Sequence, residues 1–159
     1  MREGRINTGL SQLKEALKLN PRLLMGRNSL ARQLEHMGRR DEAESILTDG
    51  LMLLPNSPLL FLELSRLHYR SNNATMAFNL LDTIINSGTD NPDVHGFYAK
   101  LLMDKKNFDL AINHYKIALQ RKNFVIDWRL GLADSLAQLG NIDAAKAEFN
   151  TALRFRNTT

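Results

Sequence analysis

One spacing, 34 residues, runs through the whole chain and leaves few folds open to it. Gly9, Ala43, Ala77, Ala111 and Ala145 stand 34 apart, and the same step carries Leu13, Leu47, Leu81, Tyr115 and Phe149. Three residues further come Ala16, Gly50, Ile84, Ala118 and Ala152, then Leu17, Leu51, Ile85, Leu119 and Leu153. Five copies of small, large, small and large in one register, with a single lapse at Ile84, define an internal repeat of the length that stacked helical arrays use.

The other half of each unit repeats too. Leu30-Ala31, Leu64-Ser65, Tyr98-Ala99 and Leu132-Ala133 are again 34 apart, each followed three residues later by Leu34, His68, Leu102 or Leu136. Offsets of three and four place these residues on one face of a helix, so each unit is two amphipathic helices. The first helix of each pair ends at Gly38, Asn72, Lys106 or Gly140, and Pro21 and Pro55 close second helices. The pattern predicts helices near 6–19, 24–37, 41–54, 58–71, 74–87, 92–105, 108–121, 126–139 and 142–155. The small residues have a packing role, because two helices approach closely only where one presents Ala or Gly for the other's large side chain to fill. The unit holding Ile84, with no closing proline, is expected to be the most distorted.

Leu30-Ala31, Leu34, Gly38, Ala43, Leu47, Gly50 and Pro55 resemble the tetratricopeptide repeat (TPR) signature, and Leu132-Ala133, Leu136, Gly140, Ala145, Phe149 and Ala152 match it again. Arg27, Phe61, His95 and Arg129 stand where the family usually has Trp, and Trp128 lies one residue earlier. The resemblance implies an all-α, right-handed superhelical α-solenoid of helix hairpins spanning 1–159 as one domain. A half repeat (1–23) would precede full repeats at 24–57, 58–91, 92–125 and 126–159. His95-Gly96-Phe97-Tyr98-Ala99-Lys100-Leu101-Leu102 and Trp128-Arg129-Leu130-Gly131-Leu132-Ala133 are similar to the C-terminal TPR region of the MshN family, accessory proteins of MSHA type IV pilus biogenesis. That likeness implies a periplasmic or cell-envelope location in a bacterium; without it the cytoplasm is the expectation.

The family implies a concave groove lined by the first helices. Carried onto this chain, the groove positions are Met25, Asn28, Arg32 and Glu35, then Leu59, Leu62, Arg66 and Tyr69, then Lys100 and Met103 beside Asp93 and Gly96, then Leu130 and Asp134 beside Asp127 and Ala137. Arg32, Arg66 and Lys100 share one register position, which suggests a basic ladder beside apolar and adaptable side chains. Such a row suits a protein or peptide with acidic and apolar residues; the bland alternative is ordinary solvated charge. The carboxylate clamp of chaperone-binding relatives does not carry over, since Leu62 replaces one of its Asn residues and Gly96 falls in its third pair.

The ends offer a second expectation. A repeat array exposes, at its last units, the face meant for a neighbour. Leu10, Leu13 and Leu17 at one end, and Phe149, Leu153 and Phe155 at the other, are therefore candidates for self-association, unless further chain covers them.

Charge suggests a third, weaker possibility. Residues 1–40 hold nine Lys/Arg against three acids, whereas the remainder holds twelve against fourteen. A basic end attracts nucleic acid, but no aromatic stacking surface or nucleic-acid motif accompanies it. Catalysis is not expected: there is no cysteine, no Gly-rich phosphate loop and no nucleophile elbow. His36, His68, His95 and His114 fall on four different helices without chelating spacing, so neither a metal site nor a meeting of two of them is expected, and no cofactor is implied. No run of residues is apolar enough for a membrane span. The sequence thus reads as a protein-interaction scaffold, which the resemblance assigns to a bacterial surface apparatus such as a type IV pilus, with a self-associating module acting through its ends as the alternative.

Overall fold

The hydrophobic periodicity becomes helix throughout the described residues. A computed structural model describes the backbone of residues 2–156 and the side chains of 9–156. Among the described residues there are nine helices and no strand: α1 (Arg2–Leu19), α2 (Leu24–His36), α3 (Arg40–Leu53), α4 (Pro58–Arg70), α5 (Ala74–Asn86), α6 (Pro92–Asp104), α7 (Phe108–Arg121), α8 (Ile126–Gln138) and α9 (Ile142–Arg156). None of them is long and apolar enough to cross a membrane. Helix ends fall within a residue or two of the periodicity except at α1, which starts four residues earlier, at Arg2.

Each first helix stops by one device. Gly38, Asn72, Lys106 and Gly140 all adopt left-handed backbone, with φ of 76, 60, 59 and 79°. The next residue's amide then reaches back five positions: Arg39 to Leu34, Asn73 to His68, Asn107 to Leu102 and Asn141 to Leu136, each N···O distance 2.9 Å. This closure satisfies carbonyls the helix would otherwise leave open. Glycine adopts it without strain, and Asn tolerates it better than Lys does.

The chain falls into two compact units, residues 1–80 and 81–159, divided within α5. In the first, α1 packs on α2, α2 on α3, and α3 on α4. Its core holds Leu10, Leu17, Leu30, Leu34, Leu47, Leu60, Leu64 and Leu67. Ala43 and Ala77 are sealed in helix contacts as the small-residue pattern requires, and the buried Ser65 hydroxyl donates to the Ala77 carbonyl at 2.7 Å. In the second, α6–α7 and α8–α9 form hairpins joined by α7 on α8, with Ala111, Ala118 and Ala152 in the notches. The lapse at Ile84 leaves α5 a regular helix with Ile84 buried at 2% exposure, so the expected distortion is absent within that helix.

Candidate partner-binding surfaces

The position where the family keeps Trp is used here for polar stapling. Arg27, 5% exposed, donates through Nη2 to the Pro21 carbonyl at 2.8 Å and through Nη1 to the Ile46 carbonyl at 2.7 Å. One hundred and two residues later, Arg129 donates from Nε to the Asn123 carbonyl at 2.9 Å and from Nη1 to Glu148 at 2.7 Å, with its guanidinium 5.3 Å from the Phe155 ring centre. His95 does likewise with Thr89 and His114. In all three repeats the partners lie six residues back and nineteen ahead. One side chain thus ties the loop entering a first helix to the second helix that follows. Phe61 has no polar atom for the same task. Polar residues at three of the four Trp positions, Arg27, His95 and Arg129, were the available signal, and sequence reasoning noted them only as departures from the family pattern.

The histidine contact was not expected from spacing. His95 Nδ1 lies 2.8 Å from His114 Nδ1, the rings stack with centres 5.1 Å apart, and Tyr98 meets His114 edge-on. Since the Thr89 carbonyl only accepts, His95 Nε2 at 3.0 Å carries a hydrogen, and its Nδ1 must accept from His114 Nδ1–H. Burial, and then the neighbouring His95, push His114 down to about 4. Tyr98, hydrogen-bonded to Asp82 at 2.6 Å, is raised by burial and by that carboxylate. Among the described residues no group of three or more His, Cys, Asp or Glu is placed to hold a metal ion.

This pair sets a pH dependence. The unfolded chain takes up the His114 proton near 6.5, the folded one only near 4. Between those values the unfolded state binds more protons, so stability falls as pH drops through the window. After allowance for solvent around a half-exposed ring, the loss is about 1–2 kcal/mol. His114→Asn should flatten the melting-temperature profile between about pH 7 and 4 relative to wild type; parallel profiles would exclude His114 as the source.

On the first-helix face of residues 1–80, Met25 is 64% exposed, Arg32 is exposed, and Leu59 and Tyr69 are half-buried. Asn28 and Leu62 are buried, at 8% and 2%, so they form wall and not contact surface; the Asn28 Oδ1 has no hydrogen-bond partner among the described residues. Arg66 pairs with the buried Glu63 at 2.9 Å, and Glu35 receives a two-pronged bond from Arg70, both at 2.6 Å. The expected basic row is thus already engaged at Arg66. Among residues 81–159, Lys100 is exposed, and Met103 sulfur accepts from Tyr115 at 3.3 Å. Asp93 pairs with Lys122, while Gly96 is buried beneath Trp128.

Leu130 and Asp134 lie with Ala137, Ile142 and Phe149 around an open recess of about 500 Å3 between α8 and α9. Phe149 and Leu153 are 49% and 38% exposed; Phe155 is half-buried against Arg129. The other proposed end is different. Leu10 and Leu17 are buried in the first unit's core, and Leu13 packs against it. The apolar stripe of α1 is consumed by α2, so these three leucines present no open face.

Helix hairpins repeating every 34 residues, with small residues such as Ala43, Ala77 and Ala111 buried where helices meet, define a helical-repeat scaffold for protein interaction. The chain belongs to the tetratricopeptide repeat family, whose pattern matches residues 34–101 and 102–158. No curated protein matches it in sequence. Its fold is shared with crystal structures of MamA: one is 18% identical over 99% of this chain and 92% of that one, TM-score 0.77. MamA of AMB-1 is 20% identical, covering 99% and 94%, TM-score 0.73. Residues 41 to the end of MamA from Desulfovibrio magneticus RS-1 are 13% identical, covering 99% and 89%, TM-score 0.73. At these identities the likeness concerns the fold.

Proposed function

We propose that the chain is a non-catalytic adaptor that docks a partner protein on its first-helix faces during assembly of a bacterial surface apparatus such as a type IV pilus. The observation that carries the docking face is Met25: a long apolar side chain, 64% exposed, on the same helix as exposed Arg32, seven residues further along α2. An adaptable thioether and, two turns on, a guanidinium suit a segment with apolar and acidic side chains. The pilus assignment rests on the likeness of residues 95–102 and 128–133 to that accessory family, and a cell-envelope location is proposed with it. Part of that likeness, Gly96 and Trp128, serves packing in this fold.

A second reading, self-association, is favoured by the recess between α8 and α9 and by the exposure of Phe149. Photo-crosslinking separates the two. A benzophenone side chain would be placed at Met25 or Leu59, at Met52 on a second helix (80% exposed), or at Leu153, and adducts identified by mass spectrometry from cells of the source organism. Adducts to a different protein from Met25 and Leu59 but not Met52 are expected. Adducts only from Met52 would overturn the first-helix reading, and adducts of the chain with itself from Leu153 would establish the second.

A further inference from the structure

Where α2 ends, α3 begins and α4 ends, five side chains surround a recess of about 370 Å3: Arg32, Glu35, His36, Arg40 and Arg70. Four are basic. Glu35, with its side chain only 14% exposed, is wholly occupied by the fork from Arg70. No ion pair or hydrogen bond engages the side chains of Arg32, His36 or Arg40 among the described residues, and all three are exposed. The recess therefore keeps two unspent guanidinium charges, with an imidazole beside them, after its one acid has been neutralised.

The surroundings limit what fits. Nearby basic groups are already covered by acids: Lys14 and Arg39 by Glu42, and Lys18 by Glu15. Asp41 and Glu44 are also exposed on α3. The unpaired positive charge is thus concentrated at the recess, and carboxylates follow Arg40 along α3. A long polyanion needs an extended basic track and would meet the exposed carboxylates of α3, and the recess has no Phe, Tyr or Trp on which a base could stack. Planar carboxylates suit it: the Arg70–Glu35 fork already displays the guanidinium–carboxylate geometry that Arg32 and Arg40 are free to repeat.

We infer that this recess receives two neighbouring carboxylate side chains from an acidic segment of a partner protein, with Arg32 and Arg40 as the recognising groups. The inference rests on the reading of the chain as an interaction scaffold and adds the partner's chemistry and the point of contact.

The test uses the full chain and a fluorescent Gly/Ser peptide with two adjacent glutamates, titrated while the Arg Nε–Hε resonances are followed. Saturable shifts at Arg32 and Arg40 are expected, with affinity lost about tenfold or more in Arg32→Gln/Arg40→Gln. The glutamine version of the peptide should produce no shifts. Both arginines are exposed, so helicity should be unchanged, and Arg22→Gln, exposed elsewhere, should bind as wild type does. Equal binding of the glutamine peptide, or of the double variant, overturns the assignment, as does tighter binding of inorganic phosphate or duplex DNA than of the peptide. If the double variant still yields the partner adduct from Met25, the scaffold reading survives and the carboxylate site fails.

Discussion

Arg27→Ala should destabilise the protein by about 2–4 kcal/mol, and the loss should centre on residues 1–80. Three contributions add. The Pro21 and Ile46 carbonyls both lose a charged donor. A buried side chain leaves a hole where its stem fills the notch at Gly50; a Cβ on Gly50 would come within 2.3 Å of Arg27 Cδ. The linker after α1 also loses its tie to α3. Against these stands the removal of a guanidinium from a site only 5% exposed, which is itself favourable, so the net lies below the sum of the parts. Arg27→Met keeps most of the stem and should lose roughly half as much. Arg27→Lys should be no better than Met, because a single ammonium does not span both carbonyls. Urea unfolding gives the sizes, and hydrogen exchange in α1–α3 gives the location, which matters because repeat proteins can unfold in parts. A Met variant within about 0.5 kcal/mol of wild type would show that the two hydrogen bonds contribute nothing net.

That device also marks where the sequence stopped being legible. The 34-residue register, the small residues at Ala43, Ala77 and Ala111, and the turn positions Gly38, Asn72, Lys106 and Gly140 could be read because each follows from one local rule. A notch needs a small side chain; a left-handed turn tolerates few residues. The tie from Arg27, His95 and Arg129 was harder to see, because its acceptors are mostly backbone carbonyls, which carry no residue identity. The His95–His114 contact was missed for a related reason. Helical spacing speaks to neighbours on one helix, and these two lie nineteen residues apart on α6 and α7. Family positions located the first-helix face but not its exposure: Leu62 and Asn28 occupy groove positions yet are buried. The acid partners of Arg66 and Arg70, Glu63 and Glu35, set which basic charges remain available. The second of those pairs, 35 residues apart, exists only once α2 and α4 are packed.

Gly96→Ala should likewise lose about 2–3 kcal/mol, against the general rule that alanine improves a helix by up to about 1 kcal/mol over glycine. A Cβ there would sit 2.3 Å from Cε2 and 2.4 Å from Nε1 of Trp128, inside the indole and not at the tip of a flexible chain. The ring must tilt or α6 and α8 must separate, and either loosens a contact within residues 81–159. Trp128 is the one tryptophan of the chain, so its fluorescence should shift in Gly96→Ala while the protein remains folded. Trp128→Leu tests the cause: in that background the added methyl meets no ring, and its cost should shrink by about 1 kcal/mol or more, a coupling that a double-mutant cycle reads directly. A Gly96→Ala protein as stable as wild type, with unchanged emission, would mean that this glycine is not the seat of the indole. The groove position that the family pattern assigns to residue 96 would then be open to a ligand after all.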